Sequence, residues 1–350
     1  MTRSVLIIGN FLSHANGSRG VCEDLTARLQ ETGWQVLSAS RQKRRATRLA
    51  DMLLTAWRNR RCYSVAQIDV YSGSAFSYAE AVAWVLRRAR KPYVLTLHGG
   101  NLPGFAERHP LRVRRLLQSA ACVTAPSRYL AEQMREYAPE IRVLPNPIDV
   151  KSYPFALRRS PRPRLMWLRA FHEIYHPAMA IVVAEELCET APDVQLTMVG
   201  PDKGDGSFHR TQEAVFRARL EDRCRFVGPV SKADVPQWLA QGDIFLNTTS
   251  IDNTPVTVLE AMACGLCVVS TNVGGMPYLV KDDHDALLVP PDDPKAMTAA
   301  VRRLLEEPNV AERLSRNGRE KAEDHDWSRV LPAWESLLSE VSEKSCEHAG

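Results

Sequence analysis

Two carboxylates with seven residues between them, Asp252 and Glu260, stand in the stretch of this 350-residue chain where residue types and spacing come closest to chemistry. The stretch 243–280, DIFLNTTSIDNTPVTVLEAMACGLCVVSTNVGGMPYLV, reads as strand, loop, helix, strand and loop. Thr254 is predicted to cap a helix whose first position is Pro255, where a missing N–H costs nothing. That helix carries Leu259-Glu260-Ala261-Met262 and stops at Gly265, a good C-terminal breaker. Pro255 and Glu260 are five helical residues apart, about 7.5 Å along the axis, the span of one sugar-sized group. The helix start, Asn253, Thr254, Pro255, Val256 and Thr257, carries free amides at every position but Pro255, and these favour an anion such as a diphosphate. Gly274-Gly275 is predicted to let the backbone approach a ligand closely.

The block resembles the acid–x7–Glu signature of retaining glycosyltransferases with two Rossmann-like domains, the GT-B fold, family 4. The shared elements are Glu260-Ala261-Met262-Ala263-Cys264-Gly265 and the following Gly274-Gly275. The departures are Asp252 in place of the first Glu, and Asn253-Thr254-Pro255 in place of Pro-Phe-Gly. The resemblance implies that Glu260 binds the donor ribose. It also implies that Asp252 meets hydroxyls of the transferred sugar, and the shorter Asp should alter which hydroxyls are reached.

The elements that must position these acids follow from the rest of the chain. Its length suits two domains, each able to bury a core. Hydrophobic residues make up 45% and charged residues 25%, the balance of a globular protein. No apolar run approaches the roughly 18 residues of a membrane span. Residues 1–10 read as a first strand rather than a signal peptide. Eight cysteines, of which Cys264 and Cys267 are the closest pair, on a helix end and a strand of the core block, predict structural thiols in a reducing cytoplasm.

The opening runs strand, glycine-bearing loop, helix and strand, a Rossmann-like start that lacks the strict G-x-G-x-x-G fingerprint. The resemblance places a loop near acceptor and donor phosphates here, with Gly17 and Ser18 as its candidates. His98 follows a predicted strand at residues 92–98 beside two glycines, a ligand-binding position in doubly wound sheets. The family has a histidine there near the transferred sugar. Pro145-Asn146-Pro147-Ile148-Asp149 resembles the turn that closes the first domain in the family. The proline- and arginine-rich residues 153–163 read as a linker.

In the second half, Arg169 ends a predicted strand and matches the family's diphosphate-binding arginine. The family's lysine about five residues later is missing, and Tyr175 or His176 occupies its neighbourhood. His172 and His176, four apart, do not form H-E-x-x-H, so no metal site is expected. Gly200 follows another strand. The backbone near Val230 matches the part that contacts the base in the family.

These readings amount to an α/β chain of two Rossmann-like doubly wound domains facing across a cleft. The expected divisions are 1–155 for the acceptor and 156–326 for the nucleotide sugar. Residues 327–350 are expected to be a helix returning to the first domain, with a tail. The implied activity is sugar transfer from a nucleotide-sugar donor to a hydroxyl of a glycan, lipid-linked or small-molecule acceptor. Retention at the anomeric carbon is implied, and neither a cofactor nor a metal is required. Residues 1–150 hold 22 basic against 11 acidic residues, and residues 151–350 hold 23 against 30, so a net +11 half faces a net −7 half. That asymmetry, with arginine clusters at 41–62, 87–91 and 108–115, points to an anionic membrane surface. The expected location is cytoplasmic, with peripheral docking at the inner face. Nucleic acid is not expected, for want of aromatic interleaving or a binding motif. Two other readings compete: a nucleotide-sugar epimerase or hydrolase using His98 as base, and a degenerate nucleotide-sugar-binding relative.

Overall fold

The computed structural model describes residues 3–11, 20–138 and 140–347. The chain divides into two compact units, residues 1–147 with 328–350, and residues 148–327.

The first unit holds six parallel strands: β1 (Ser4–Ile8), β2 (Gln35–Ala39), β3 (Val65–Val70), β4 (Tyr93–Leu97), β5 (Cys122–Ala125) and β6 (Ile141–Val143). Their order is β2-β1-β3-β4-β5-β6. Buried on both faces, β1 and β4 read as near-continuous apolar runs, SVLII and YVLTL. The connections diverge between β1 and β3. The crevice above a sheet at such a divergence is where ligands bind. From Ser328 onward the helix Trp327–Glu347 belongs to this unit. Glu340 accepts two hydrogen bonds from Arg142, at 2.6 and 2.9 Å. Glu335 accepts from Thr32 Oγ1 at 2.6 Å and Trp34 Nε1 at 3.1 Å.

Arg142 and Lys344 hold the Glu340 carboxyl down at about 2. Its folded value is depressed, so its contribution is present above the ordinary value near 4.5 and fades as pH falls toward 2. The pair is about a third exposed on each side. Arg142→Ala is therefore expected to cost at most about 1 kcal/mol, read as a small shift in a denaturation midpoint at pH 7 that shrinks in acid.

The second unit repeats the plan with β7 (Arg164–Leu168), β8 (Gln195–Val199), β9 (Cys224–Gly228), β10 (Ile244–Asn247), β11 (Cys267–Thr271) and β12 (Leu287–Val289). The order β12-β11-β10-β7-β8-β9 is that of a dinucleotide-binding sheet. Its divergence lies between β7 and β10, paired in register at Leu165 and Ile244.

Residues 153–163 are not a free linker. Arg158 is buried, donates to Gly242 O at 2.8 Å, and its backbone N donates to Ser315 Oγ at 3.1 Å. An arginine reads as solvent-loving until a tertiary partner appears, and Asp243 is that partner, 2.7 Å away.

Among the described residues no helix is long and apolar enough to cross a membrane. The seven described cysteines are free thiols.

Candidate functional site

The second unit's polar centre sits where β7 and β10 diverge. Arg169 is the first residue after β7, and residues 248–255 leave β10 toward the helix Val256–Ala263. Arg169 forms an ion pair with Asp252. Its guanidinium lies 4.7 Å from the centre of the Tyr175 ring. Burial pushes the Arg169 pKa down from its ordinary value.

Beside that ion pair, Arg169 Nε, Thr254 Oγ1 and Thr257 Oγ1 are buried without a hydrogen-bond partner. Folded proteins pair nearly all such atoms, so a cluster of orphans needs an explanation. Here the orphans combine one nitrogen of a forked cation and two hydroxyls at a helix start whose first amides have no intrahelical acceptor. That set matches a polyanion carrying hydroxyl groups.

Thr254 does not cap the helix. Pro255 takes the cap position with φ −71° and ψ 107°, the helix begins at Val256, and Val258 N bonds to Pro255 O at 3.1 Å. An extended proline moves the cap one residue on and leaves the threonine hydroxyl orphaned. The helix ends at Gly265, φ +80°, where a Cβ would collide with Ala156 O.

Gly274-Gly275 serves the protein's own backbone. A Cβ on Gly274 would strike Asp252 O, one on Gly275 would strike Asn253 O, and Gly275 N donates to Asp252 O at 2.9 Å. The glycine pair buttresses the loop that carries the first acid. The close approach that these glycines permit includes the loop's own backbone, which sequence could not show.

Glu260 is 5% exposed and accepts a hydrogen bond from Tyr153 Oη at 2.8 Å. Burial raises its carboxyl pKa, while the Tyr153 hydrogen bond and the charges of Lys232 and Arg169 pull the other way. Its folded value is raised, so its favourable contribution is complete below the ordinary value near 4.5 and is lost as pH rises. Glu260→Gln keeps an acceptor for Tyr153 and removes the buried charge. The variant is expected to melt higher than the parent at pH 7–8, with the gain vanishing in acid. A thermal-melt series against pH checks this.

Gly200, φ +149°, follows β8 and packs against Arg169 O, and its N donates to Gly228 O at 2.9 Å. Val230 packs on the core beneath the helix Val256–Ala263. Asn253 is buried, with its N bonded to Asp252 Oδ1 at 2.8 Å. Tyr175, and not His176, joins the arginine: His176 Nδ1 pairs with Asp292 Oδ1 at 2.8 Å.

The first unit carries its own polar centre. His98 follows β4, its backbone N bonds to Val70 O at 2.9 Å, and its ring stacks on Tyr71 at 5.0 Å. Gly17 and Ser18 lie outside the described residues. Sequence reading missed Tyr153, whose partner is 107 positions away. It also missed Asp69, which reads as one of two polar residues, with Gln67, inside an otherwise apolar strand.

Two doubly wound parallel α/β units, each with a polar centre at the carboxyl ends of its strands, define the GT-B architecture. The structure is similar to sucrose-phosphate synthase from Thermosynechococcus elongatus, with TM-score 0.77 at 18% identity, covering 97% of this chain and 99% of that one. It is likewise similar to HepE of Anabaena, solved with UDP and glucose, with TM-score 0.73 at 18% identity over 97% and 100%. The family "Glycosyl transferases group 1" matches residues 158–321, and "Glycosyltransferase Family 4" matches residues 15–152. The chain belongs to the group 1 glycosyltransferases. In sequence it is 28% identical over 251 residues to glycogen synthase of Mycobacterium tuberculosis, 67% of this chain and 58% of that protein. The matched stretch spans less than two thirds of that relative.

Proposed function

We propose that the chain transfers a sugar from a nucleotide-sugar donor to a hydroxyl acceptor with retention at the anomeric carbon. One observation carries the reading: the Arg169–Asp252 ion pair and the unpartnered Arg169 Nε, Thr254 Oγ1 and Thr257 Oγ1 lie on the segments that leave β7 and β10 at their divergence and start one helix. The donor diphosphate sits on the Arg169 fork and the helix amides, Glu260 takes the ribose, and the backbone near Val230 takes the base. Asp252 accepts from hydroxyls of the sugar, and His98, in the first unit, accepts from a substrate hydroxyl. The bond from the anomeric carbon to the diphosphate oxygen breaks, and its electron pair leaves with the diphosphate. A new bond forms to the acceptor oxygen, whose proton passes to a diphosphate oxygen. Arg169 and the helix start stabilise the departing charge, a role that requires no metal. The UDP-bound relative supports a nucleotide-sugar donor.

A panel of sugar nucleotides in EDTA tests this by thermal shift. One donor is expected to raise the melting temperature, worth about 2.7 kcal/mol at 100 times its Kd, and to lose that effect in Glu260→Ala. Dependence of the shift on added divalent cation would overturn the metal-free reading. Donor binding with no transfer to any acceptor would favour the degenerate-relative reading.

The first unit supports docking on an anionic membrane and an acceptor presented there. Leu54, Trp57, Trp84 and Leu111 are exposed among arginines, with Arg60 4.6 Å over the Trp57 ring and Arg88 5.3 Å over the Trp84 ring. Each arginine near such a surface adds about 1 kcal/mol. Co-sedimentation with phosphatidylglycerol vesicles is expected to fall steeply with salt and to weaken at least 10-fold in Trp57→Ala/Trp84→Ala. Equal binding to phosphatidylcholine would refute the electrostatic part.

A further inference from the structure

The divergence of β1 and β3 in the first unit holds a buried carboxylate that the proposed chemistry has not used. Asp69 lies on β3 with its side chain 4% exposed, and its Oδ1 sits 2.9 Å from His98 Nε2. The same oxygen accepts from Gln67 Nε2 at 2.8 Å. Gln67, 1% exposed, is held in turn by Thr96 Oγ1 at 2.8 Å, which accepts from Thr124 Oγ1 at 3.1 Å. Gly9 closes the other side: a Cβ there would stand 2.6 Å from Asp69 Oδ2 and 2.8 Å from Cys22 Sγ. Four strands and the start of the helix Val21–Glu31 thus fix one carboxylate under one imidazole.

An ionised carboxylate can only accept, so the imidazole nitrogen facing it must carry a hydrogen. In the neutral ring that leaves Nδ1 as the acceptor. Stacking on Tyr71 holds the ring plane. We propose that Asp69 is a positioning residue that locks His98 as the Nε2–H tautomer, so that Nδ1 accepts a hydrogen from a substrate hydroxyl. The tautomer stands on the geometry alone, whereas its use in the reaction rests on the assignment of His98 to the substrate.

Asp69→Asn separates these two. Gln67 and His98 share Oδ1, so the isosteric amide presents an N–H to His98 once the Gln67 amide turns over and offers its Oε1, which has no partner in the parent, and that N–H inverts the tautomer. Long-range 1H–15N spectra of the full chain are expected to show hydrogen on Nε2 in the parent and on Nδ1 in the variant. Hydrogen on Nδ1 in the parent overturns the proposal without recourse to any variant.

With the donor found in the panel, Asp69→Asn is expected to lower kcat by 10- to 100-fold. Binding of UDP or ADP, which the second unit handles, should change less than 2-fold. In a His98→Gln background the substitution should cost nothing further. An equal loss in that background overturns action through His98. An inverted tautomer with unchanged kcat overturns the assignment of His98 to the substrate and leaves the lock itself standing.

Discussion

Arg169→Ala is expected to lower kcat/KM by about 100- to 1,000-fold, the effect of removing one preorganised donor from a developing anion. The size follows from burial. The guanidinium lies against the Tyr175 ring, 16% exposed, with Nη2 on Asp252 and Nε without a partner. Its charge acts through little water and is worth far more there than at a surface. Arg169→Lys should recover little, because a point charge cannot give the planar fork and packs differently on the ring. Binding of UDP or ADP, followed by calorimetry, should weaken with the loss of rate, since the diphosphate is what the fork holds. Unchanged nucleotide affinity in Arg169→Ala would sink the assignment. Removal also leaves Asp252 without its cation, so a second variant, Arg169→Ala/Asp252→Asn, should melt closer to the parent while remaining inactive.

The second large effect lies at the other end of the same two strands. Asp243, 3% exposed, immediately precedes β10. It accepts from Arg164 Nε at 2.8 Å and Nη2 at 2.9 Å and from Arg162 N at 3.0 Å, with Arg158 Nε 2.7 Å away. The Arg158 side chain is 8% exposed and that of Arg164 44% exposed. Asp243→Ala therefore strands the Arg158 charge in the core while Arg164 can turn to water. A broken buried pair costs about 3–5 kcal/mol, and the denaturant transition of the second unit should shift by that amount at constant slope. A double change, Arg158→Met/Asp243→Leu, should restore most of the loss, because apolar replacement of a buried pair is often neutral. Nucleotide affinity at a temperature where both variants are folded should match the parent. A fall there would tie the amino edge of the sheet to the site at its carboxyl edge.

Local chemistry determined a definite part of this protein. The apolar runs of β1, β4 and β10, alternating with helical patterns, fixed a parallel α/β plan, because strands covered on both faces need no polar side. Gly265 announced the end of its helix, and the block from Asp252 to Gly275 pointed to Asp252 and Glu260 as candidates through its resemblance to family 4. Tertiary structure decided what those residues do. Asp252 meets Arg169, 83 positions upstream, so the first acid is also the counter-ion of the cation. Glu260 is held by Tyr153, and the Gly274-Gly275 pair braces the acid loop from beneath. Asp69 and Gln67, unremarkable inside an apolar strand, become the mount of His98 once β4 lies beside β3. Arg158 passed for linker because a charged residue looks solvated until its partner is known. The physical reason is common to all of them. Backbone preference and burial period are written within a few neighbouring residues, whereas ion pairs and hydrogen bonds join atoms that only the folded chain brings within about 3 Å.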